Sequence, residues 1–254
     1  MKEQRLDSLE QYILDKRSVT IDSLCDIFHV SKNTVRRDLD ALIPRGNIIK
    51  VYGGVKAAEP ASLTPMPLSS FEERHIANIK EKEYICHLAA PLVSNGDIIY
   101  IDTGTTCVNL VEQIRNITCT IITNSLQAAA LAVAYETLTV IMLPGKLKRE
   151  TLSFVGLNAV ENLSTYNIDK AFMASTGVTI ENGMTNASSE EYAIKKMVME
   201  RSSIRYLLAD HDKFGRSALH TFGNLDDVNA IITDRPLSEK ISNYCTAHNI
   251  KIIC

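Results

Sequence analysis

Residues 20–45, TIDSLCDIFHVSKNTVRRDLDALIPR, predict two amphipathic helices joined by a tight turn. Apolar side chains recur in each helix at spacings of three and four residues, which aligns them on one face. These stripes consist of Ile21, Leu24, Cys25 and Phe28 in the first helix and of Val35, Leu39 and Leu42 in the second. Ser31 stands where an N-cap side chain is favoured. We expect the stripes to pack together and leave the other face of the second helix exposed.

That exposed face carries polar and basic side chains near the start of the second helix. They are Lys32, Asn33, Thr34, Arg36 and Arg37. Such side chains contact phosphates and base edges when a recognition helix enters the major groove of DNA. A merely solvated basic face is the commoner explanation of this pattern when it is taken alone, so the neighbouring segments must decide.

The neighbouring segments predict a winged helix-turn-helix. Before the two helices, residues 6–14 show a third apolar stripe through Leu6, Leu9 and Ile13. After them, residues 47–56, NIIKVYGGVK, predict a short β-hairpin in which Gly53 and Gly54 can adopt the positive φ of a tight turn. With two hairpin side chains added, the predicted DNA-binding set is Ser31, Lys32, Asn33, Thr34, Arg36, Arg37, Lys50 and Tyr52.

Length and charge indicate a small basic module attached to a larger one. The chain has 254 residues, of which 45% are hydrophobic, enough for a sizeable core. Residues 1–57 contain 10 Lys+Arg and 8 Asp+Glu, a net charge of +2, whereas the remainder contains 17 and 22, a net charge of −5. Because a net charge of +2 gives weak non-specific binding to DNA, we expect two modules to act together in a homodimer or homotetramer.

Cysteine and histidine spacing indicates neither a disulfide framework nor a metal site, and we expect no cofactor. The six cysteines form no CxxC pair and most lie in apolar runs, which predicts buried, reduced thiols in a cytoplasmic protein. The six histidines form no HxxxH or HExxH pair. No apolar run reaches the length of about 18 residues typical of a membrane span, and the charged N-terminus does not resemble a signal peptide. Membrane insertion and secretion are therefore not expected.

Residues 58–70 predict a boundary, because residues 57–70, AAEPASLTPMPLSS, contain three prolines and almost no charge. The predicted domains are 1–57, a winged helix-turn-helix, and 71–254, a larger domain that opens with one helix from about Phe71 through FEERHIANIKEKEYICHLAAPLV. Beyond Asn95, short apolar runs alternate with helix-like segments, which predicts an α/β domain with a mostly parallel sheet. The predicted strands are Ile98–Asp102, Cys119–Thr123, Leu138–Leu143, Lys170–Ser175, Ile204–Asp210, Ala230–Thr233 and Ile250–Cys254.

Sheets of this kind bind ligands at the carboxyl ends of their strands. The first strand ends in Asp102-Thr-Gly104-Thr105-Thr106, before a helix predicted over Cys107–Ile114, and this turn could hold a phosphate. The second strand ends in Thr123-Asn124-Ser125. Later, Glu191 and Lys195 stand four residues apart, and a solvated ion pair on a helix is the simpler explanation of that spacing. Asp210 ends another predicted strand and Lys213 lies three residues beyond it, which an ordinary surface loop would also explain.

Both regions resemble the DeoR family of bacterial transcriptional regulators. That family's DNA-binding pattern, V-S-x-x-T-[IV]-R-R-D-L followed by a hairpin ending in G-G, is matched by Val30, Ser31, Thr34, Val35, Arg36, Arg37, Asp38, Leu39, Gly53 and Gly54. The marks of its sensor domain also occur in order, at Asp102–Thr106, Thr123–Ser125, Gly156, Glu191–Lys195 and Asp210–Gly215. That sensor domain is similar to ribose-5-phosphate isomerase and is used to sense sugar phosphates.

The resemblance implies which residues contact the effector. It assigns phosphate contacts to Gly104, Thr105 and Thr106, with Asn124 and Ser125 in the neighbouring loop. It implies hydroxyl, carboxylate or phosphate contacts for Asp102, Glu191, Lys195, Asp210 and Lys213. Within the family, several stretches look closer to the repressor of myo-inositol catabolism in bacilli, which responds to a phosphorylated acid sugar. These stretches are LCDIFHVSKNTVRRDL, KVYGGV, YNIDKAFMASTGVT and EYAIKK with YLLADHDKFG.

Two functions remain in competition at this point. The favoured one is a DNA-binding repressor of a carbohydrate catabolic operon, released by a phosphorylated sugar or sugar acid. The alternative is a sugar-phosphate isomerase with an appended nucleic-acid-binding module. An isomerase needs a base beside the substrate carbon, and although Glu191 or Asp210 could serve, no paired acid loop of the isomerase type occurs in the chain.

Overall fold

The computed structural model describes residues 2–45, 47–51, 53–57 and 70–254, without the side chains of residues 2–4 and 45. Tyr52 and residues 58–69 of the predicted linker lie outside the described residues. The chain forms two compact units, one built around the N-terminal region and a larger one that contains the main sheet.

The N-terminal unit is a winged helix-turn-helix, as predicted. Its described elements in this region are α1 (Lys2–Lys16), β1 (Ser18–Thr20), α2 (Ile21–Phe28), α3 (Lys32–Leu42), a 3₁₀ turn (Ile43–Arg45), β2 (Ile48–Val51) and β3 (Gly54–Ala57). The strands form an antiparallel sheet in which β3 lies between β1 and β2. Strand β1 was not predicted, because a run of three residues is too short to show a period.

The predicted apolar stripes form the core of this unit. Leu6, Leu9 and Ile13 of α1 are buried with Leu24, and the α3 stripe is buried beside them. Gly53 forms the β2–β3 turn with a φ of +79°, as predicted. Gly54 does not adopt a positive φ, so that part of the prediction is wrong; a Cβ there would collide with the Val19 carbonyl oxygen of β1. The lack of a side chain at Gly54 therefore lets β3 lie close to β1.

The described chain after residue 69 alternates helices and strands. Its strands are β4 (Ile98–Ile101), β5 (Cys119–Thr123), β6 (Leu138–Met142), β7 (Lys146–Lys148), β8 (Ser153–Val155), β9 (Ile168–Met173), β10 (Gly177–Thr179), β11 (Gly183–Asn186), β12 (Ser202–Leu208), β13 (His220–Gly223), β14 (Ala230–Ile232) and β15 (Lys251–Ile253). Its helices are α4 (Phe71–Ile76), α5 (Ile79–Ala89), α6 (Thr105–Val108), α7 (Leu110–Gln113), α8 (Leu126–Ala132), α9 (Leu157–Leu163), α10 (Ser189–Arg201) and α11 (Glu239–Ala247). Short 3₁₀ turns occur at Ala90–Leu92, His211–Lys213 and Leu225–Asp227.

The seven predicted strands form one parallel sheet in the order β15-β14-β12-β9-β4-β5-β6. This confirms the predicted α/β architecture. Because all seven strands run in the same direction, their carboxyl ends share one edge, and the ends of β4 and β9 lie side by side there. The polar residues that follow β4 therefore meet those that follow β9.

Two predicted helices differ from the observed ones. The helix expected from Phe71 is divided into α4 and α5, because Asn78 adopts a left-handed conformation with a φ of +52°. The helix expected over Cys107–Ile114 begins earlier, at Thr105, and is divided at Asn109 into α6 and α7. The hairpin β7–β8 and the antiparallel sheet β10-β11-β13 were not predicted, because their strands are short and mostly polar.

Two further predictions concern the cysteines and membrane-spanning helices. All six cysteines are free, and Cys86, Cys107, Cys119 and Cys245 are buried, whereas Cys254 is exposed. Within the described residues, no helix combines the length and the apolar character that crossing a membrane requires.

Candidate functional site

The first candidate site is the exposed face of α3. Lys32, Asn33, Arg36 and Arg37 are exposed and Thr34 is half-buried. Ser31 caps the helix, since its hydroxyl oxygen accepts a hydrogen bond of 3.3 Å from the backbone N–H of Thr34. The polar face is thus fixed at the start of a helix whose opposite side is buried. This is the arrangement of a recognition helix.

A partly buried ion pair holds α3 against α1. Asp38 is only 1% exposed, and its two carboxylate oxygens accept hydrogen bonds of 2.8 and 3.2 Å from Nε and Nη2 of Arg5. A two-bond guanidinium–carboxylate pair fixes orientation as well as distance. Asp38 follows Arg37 directly, so this pair sets the rotation of α3 and with it the direction of the two arginines. Sequence analysis assigned no role to Arg5.

The remaining predicted DNA contacts are less constrained. Lys32 forms an exposed ion pair with Asp22, with Nζ 2.6 Å from Oδ1, and the hydrogen bond to Asp22 raises the pKa of Lys32. DNA phosphates would compete with this carboxylate for the ammonium group. Lys50 is exposed on β2, and Tyr52 lies outside the described residues.

The second candidate site lies at the carboxyl edge of the large sheet, where Asp102 follows β4. Asp102 Oδ2 accepts a hydrogen bond of 2.9 Å from the backbone N–H of Ala174 and also binds Lys195 Nζ. Lys195 Nζ donates a further hydrogen bond of 2.9 Å to the Ala174 carbonyl oxygen. Asp102 and Lys195 are both buried. A solvated ion pair between Glu191 and Lys195 is therefore the wrong explanation of their spacing, because Lys195 is buried and pairs with Asp102.

A small cleft lies above this pair. It opens to solvent and has about 40 Å³ of accessible space. It is lined by Arg74, Thr103, Gly104, Thr151, Ala174, Ser175, Thr176, Asn186, Glu191 and Lys195. Gly104 is required there, because an added Cβ would collide with Cβ of Ala174. Burial lowers the pKa of Arg74, while the nearby carboxylates of Glu191 and Asp102 raise it; a guanidinium remains charged throughout.

Three of the predicted effector residues line this cleft and Asp102 lies directly beneath it. The three are Gly104, Glu191 and Lys195. Thr105 is buried beside it, and its hydroxyl donates a long hydrogen bond of 3.3 Å to the Arg74 carbonyl oxygen. Thr106 is also buried, and its carbonyl oxygen accepts from Cys86 Sγ at 2.9 Å.

Asn124 and Ser125 have partners within the protein and are not among the described residues that line the cleft. Asn124 Oδ1 accepts a hydrogen bond of 2.6 Å from the Tyr100 hydroxyl, and its Nδ2 donates at 3.0 Å to the Phe154 carbonyl oxygen. Burial raises the pKa of Tyr100 well above its usual value, so this phenol stays a donor. Ser125 caps α8 by accepting from the Ala128 N–H at 3.2 Å. Their side chains shape the neighbouring loop.

Asp210 and Lys213 belong to a separate polar cluster at the end of β12. Asp210 is fully buried, and its Oδ1 accepts hydrogen bonds from Asn78 Nδ2 at 3.3 Å and from the Asp212 N–H at 3.1 Å. Lys213 Nζ lies 3.9 Å from Asp210 Oδ2. Neither is among the described lining residues of the cleft.

Three residues at or beside the cleft were not predicted from the sequence: Arg74, Lys82 and Asn186. Lys82 is buried, and its Nζ donates hydrogen bonds to the carbonyl oxygens of Arg74 and, at 2.6 Å, of Ala77, which close the end of α4. Burial lowers the pKa of Lys82 to about 8. Lys82 lies in the charged run KEKEY, which gives no sign that one of its lysines is buried. Its burial follows from the position of α4. Arg74 likewise looks like an ordinary surface residue in FEERHI.

Comparisons with protein-family models cover most of the chain. Residues 5–61 match a DeoR-like helix-turn-helix domain, and residues 77–235 match the DeoR C terminal sensor domain.

Known proteins and solved structures add to this. The HTH-type transcriptional regulator IolR of Bacillus subtilis is 42% identical over 99% of this chain and 99% of its own length. A lactose phosphotransferase system repressor of Staphylococcus epidermidis is 33% identical over 96% of this chain and 97% of its own length. Among solved structures, ribose 5-phosphate isomerase A of Methanocaldococcus jannaschii aligns with a TM-score of 0.41 and 20% identity, over 54% of this chain and 55% of that one.

Proposed function

Since this chain belongs to the DeoR family of helix-turn-helix transcriptional regulators, we propose that it represses a carbohydrate catabolic operon and is released from its operator by a phosphorylated sugar or sugar acid. Family membership also decides between the two functions left open by the sequence: the chain is a regulator and not an isomerase. Inositol catabolism is the operon we favour, on the stretches of sequence quoted above and on the full-length similarity to the regulator IolR.

The observation that carries this proposal is the set of charged side chains at the cleft. Lys195 is paired with Asp102, and Arg74, whose Nη2 donates a hydrogen bond of 2.9 Å to the Glu150 carbonyl oxygen, adds a second cation beside Glu191. Glu191 accepts long hydrogen bonds of 3.5 Å from the hydroxyls of Thr103 and Ser153, which hydroxyl groups of a ligand can replace. A guanidinium beside an acceptor carboxylate suits a ligand that carries both an anionic group and hydroxyl groups.

We place the phosphate on the Gly104-Thr105-Thr106 turn and the polar remainder of the ligand toward Lys195. The Thr105 hydroxyl supports this, because its bond of 3.3 Å to Arg74 is longer than the usual limit of about 3.0 Å and is readily exchanged for a phosphate oxygen. Lys213, which sequence analysis placed near the ligand, lies in the separate Asp210 cluster and has no part in this arrangement.

Release from DNA requires a ligand that favours one conformation over another. The cleft has about 40 Å³ of accessible space and opens to solvent, so we expect a bound sugar phosphate to widen it. Helix α4 is the wall that we expect to move, because its Arg74 lines the cleft. The Arg74 carbonyl oxygen accepts hydrogen bonds from Thr105 and Lys82, which connect α4 to the rest of the site. Helix α4 begins at Phe71, directly after the predicted linker. We propose that widening the cleft shifts α4 and, through the linker, the spacing of two winged helices.

The experiment that tests this function measures operator affinity of the wild-type protein with and without a panel of sugar phosphates. We expect at least one phosphorylated sugar or sugar acid to weaken operator binding, and its unphosphorylated counterpart to have no effect. Inorganic phosphate at the same concentration and ionic strength is the control. Unchanged operator binding with every phosphorylated compound would contradict the proposed effector class.

A further expectation concerns assembly. One winged helix contacts only a few base pairs, too few for selectivity in a genome, and its net charge of +2 adds little affinity. We expect a homodimer or homotetramer that reads repeated half-sites. Light scattering at micromolar concentration, with and without operator DNA, measures the assembly. A monomer under both conditions would show this expectation to be wrong.

A further inference from the structure

Asn186 carries a buried oxygen atom without a protein partner. The residue lines the cleft and is 1% exposed, and its Oδ1 accepts no hydrogen bond from any residue that the structure describes. Buried side-chain oxygens in proteins are almost always hydrogen-bonded. An unpaired acceptor in the wall of a cleft therefore indicates a donor that arrives with a ligand.

The orientation of the Asn186 amide is fixed by its other end. The atom 2.6 Å from the Ser188 carbonyl oxygen must be the amino group, because a carbonyl oxygen accepts and cannot donate. Turning the amide over would bring two oxygens together, so Oδ1 is the atom left for the cleft. Ser188 in turn caps α10 by accepting from the Glu191 N–H at 3.4 Å. The acceptor is thus held between the end of β11 and the start of α10.

Neighbouring hydroxyls are committed elsewhere. Ser175 Oγ lies 2.6 Å from the Gly177 carbonyl oxygen and 2.9 Å from that of Thr185, and it accepts from the Thr185 N–H at 3.1 Å. Lys195 is occupied by Asp102 and Ala174. Neither group supplies a hydrogen bond to Asn186. No residue that the structure describes donates to Asn186 Oδ1, and a hydroxyl group is the donor that a sugar ligand offers.

We propose that Asn186 Oδ1 accepts a hydrogen bond from one hydroxyl of the effector and thereby distinguishes it from the analogue that lacks this hydroxyl. The inference rests on the proposed function and names the group on the ligand that the cleft reads. A buried acceptor that loses its donor stays unpaired, which is why a site built for a hydroxyl rejects the deoxy compound strongly. Arg74, which we expect to contact the anionic group, has no acceptor atom and so cannot take the place of Asn186 as the partner of a donating hydroxyl.

The test compares ligand pairs in four proteins: wild type, Asn186→Ala, Asn186→Asp and Asn182→Ala. The probes are the 6-phosphates of glucose, fructose and gluconic acid and a phosphorylated inositol, each with its single-deoxy analogues, and titration calorimetry gives the ratio of the two affinities. Asn186→Ala removes both amide groups, whereas Asn186→Asp keeps an acceptor oxygen and loses the donor to Ser188. Asn182 is the matched control, because its Nδ2 binds Ser217 Oγ at 3.0 Å outside the cleft lining.

We expect the wild type to bind one hydroxylated probe at least about tenfold more tightly than one of its deoxy analogues, about the factor of one lost hydrogen bond to a neutral group. This preference should disappear in Asn186→Ala and persist in Asn186→Asp and Asn182→Ala, even where an added negative charge weakens all anionic probes. A preference that survives in Asn186→Ala, or is absent from the wild type, would overturn the inference while the proposed function stands. If no phosphorylated probe binds the wild type, the proposed function fails, and this inference fails with it.

Discussion

Replacement of Arg36 or Arg37 by alanine is expected to weaken specific operator binding at least about tenfold in at least one of the two variants. Both side chains are exposed on α3, and they directly precede the buried Asp38, whose pair with Arg5 fixes this helix against α1. A bidentate contact from arginine to a base contributes about 1–3 kcal/mol of discrimination. Loss of that contact is the largest effect we expect from a single substitution in the DNA-binding unit.

The two arginines are expected to differ in kind. The variant that has lost a base contact should bind operator more weakly and leave binding to unrelated DNA unchanged, whereas loss of a phosphate contact weakens both and lowers the salt dependence. Gel shifts on operator and on scrambled DNA at two salt concentrations measure this. Arg115→Ala, an exposed arginine of the larger unit, removes the same charge and serves as the control. Full operator affinity in both α3 variants would show that α3 is not the recognition helix.

The second large effect is expected from the phosphate turn. Thr105→Ala combined with Thr106→Ala should leave operator binding intact but abolish release by the effector, which gives a repressor that stays on its DNA. Without both hydroxyls the proposed turn loses its side-chain contacts with the phosphate, so ligand binding no longer stabilises the released conformation. Operator affinity with and without the active sugar phosphate measures this.

Two controls sharpen that experiment. Thr139→Ala makes the same change at an exposed position on β6, away from the cleft lining, and should be released normally. The single variant Thr105→Ala isolates the bond to the Arg74 carbonyl oxygen. If the double variant is released as readily as the wild type, the phosphate binds elsewhere. If it fails to bind operator without effector, the Thr105–Arg74 bond holds the DNA-competent state, which is the opposite of our expectation.

The structure also changes how the predicted effector residues are grouped. Asp102 and Gly104 follow β4 at the carboxyl edge of the sheet, where ligands bind in parallel sheets, and Glu191 and Lys195 of α10 join them there. Asn124 and Ser125 bind within the protein instead. A polar residue after a strand can face the cleft or stabilise its own loop, and the pattern of residue types is the same in both cases.

The sequence by itself determined the elements whose causes are local. Helical stripes depend on contacts between residues three and four apart, so Val35, Leu39 and Leu42 predicted α3 and its exposed basic face. Short apolar runs predicted the seven strands, because a strand buried on both faces needs little else. The winged helix-turn-helix and the α/β sensor domain both followed from such local patterns.

Tertiary structure alone decided which distant side chains meet. Lys195 pairs with Asp102, 93 positions away, because β9 lies beside β4 and α10 packs against β9. Arg5 reaches Asp38 across 33 positions, and Arg74 and Asn186 line one cleft although 112 positions separate them. Strand order and helix placement are set by the packing of the whole core, to which each residue contributes only part. A charge or an amide carries no period in the sequence, so its partner is known only when the chain has folded.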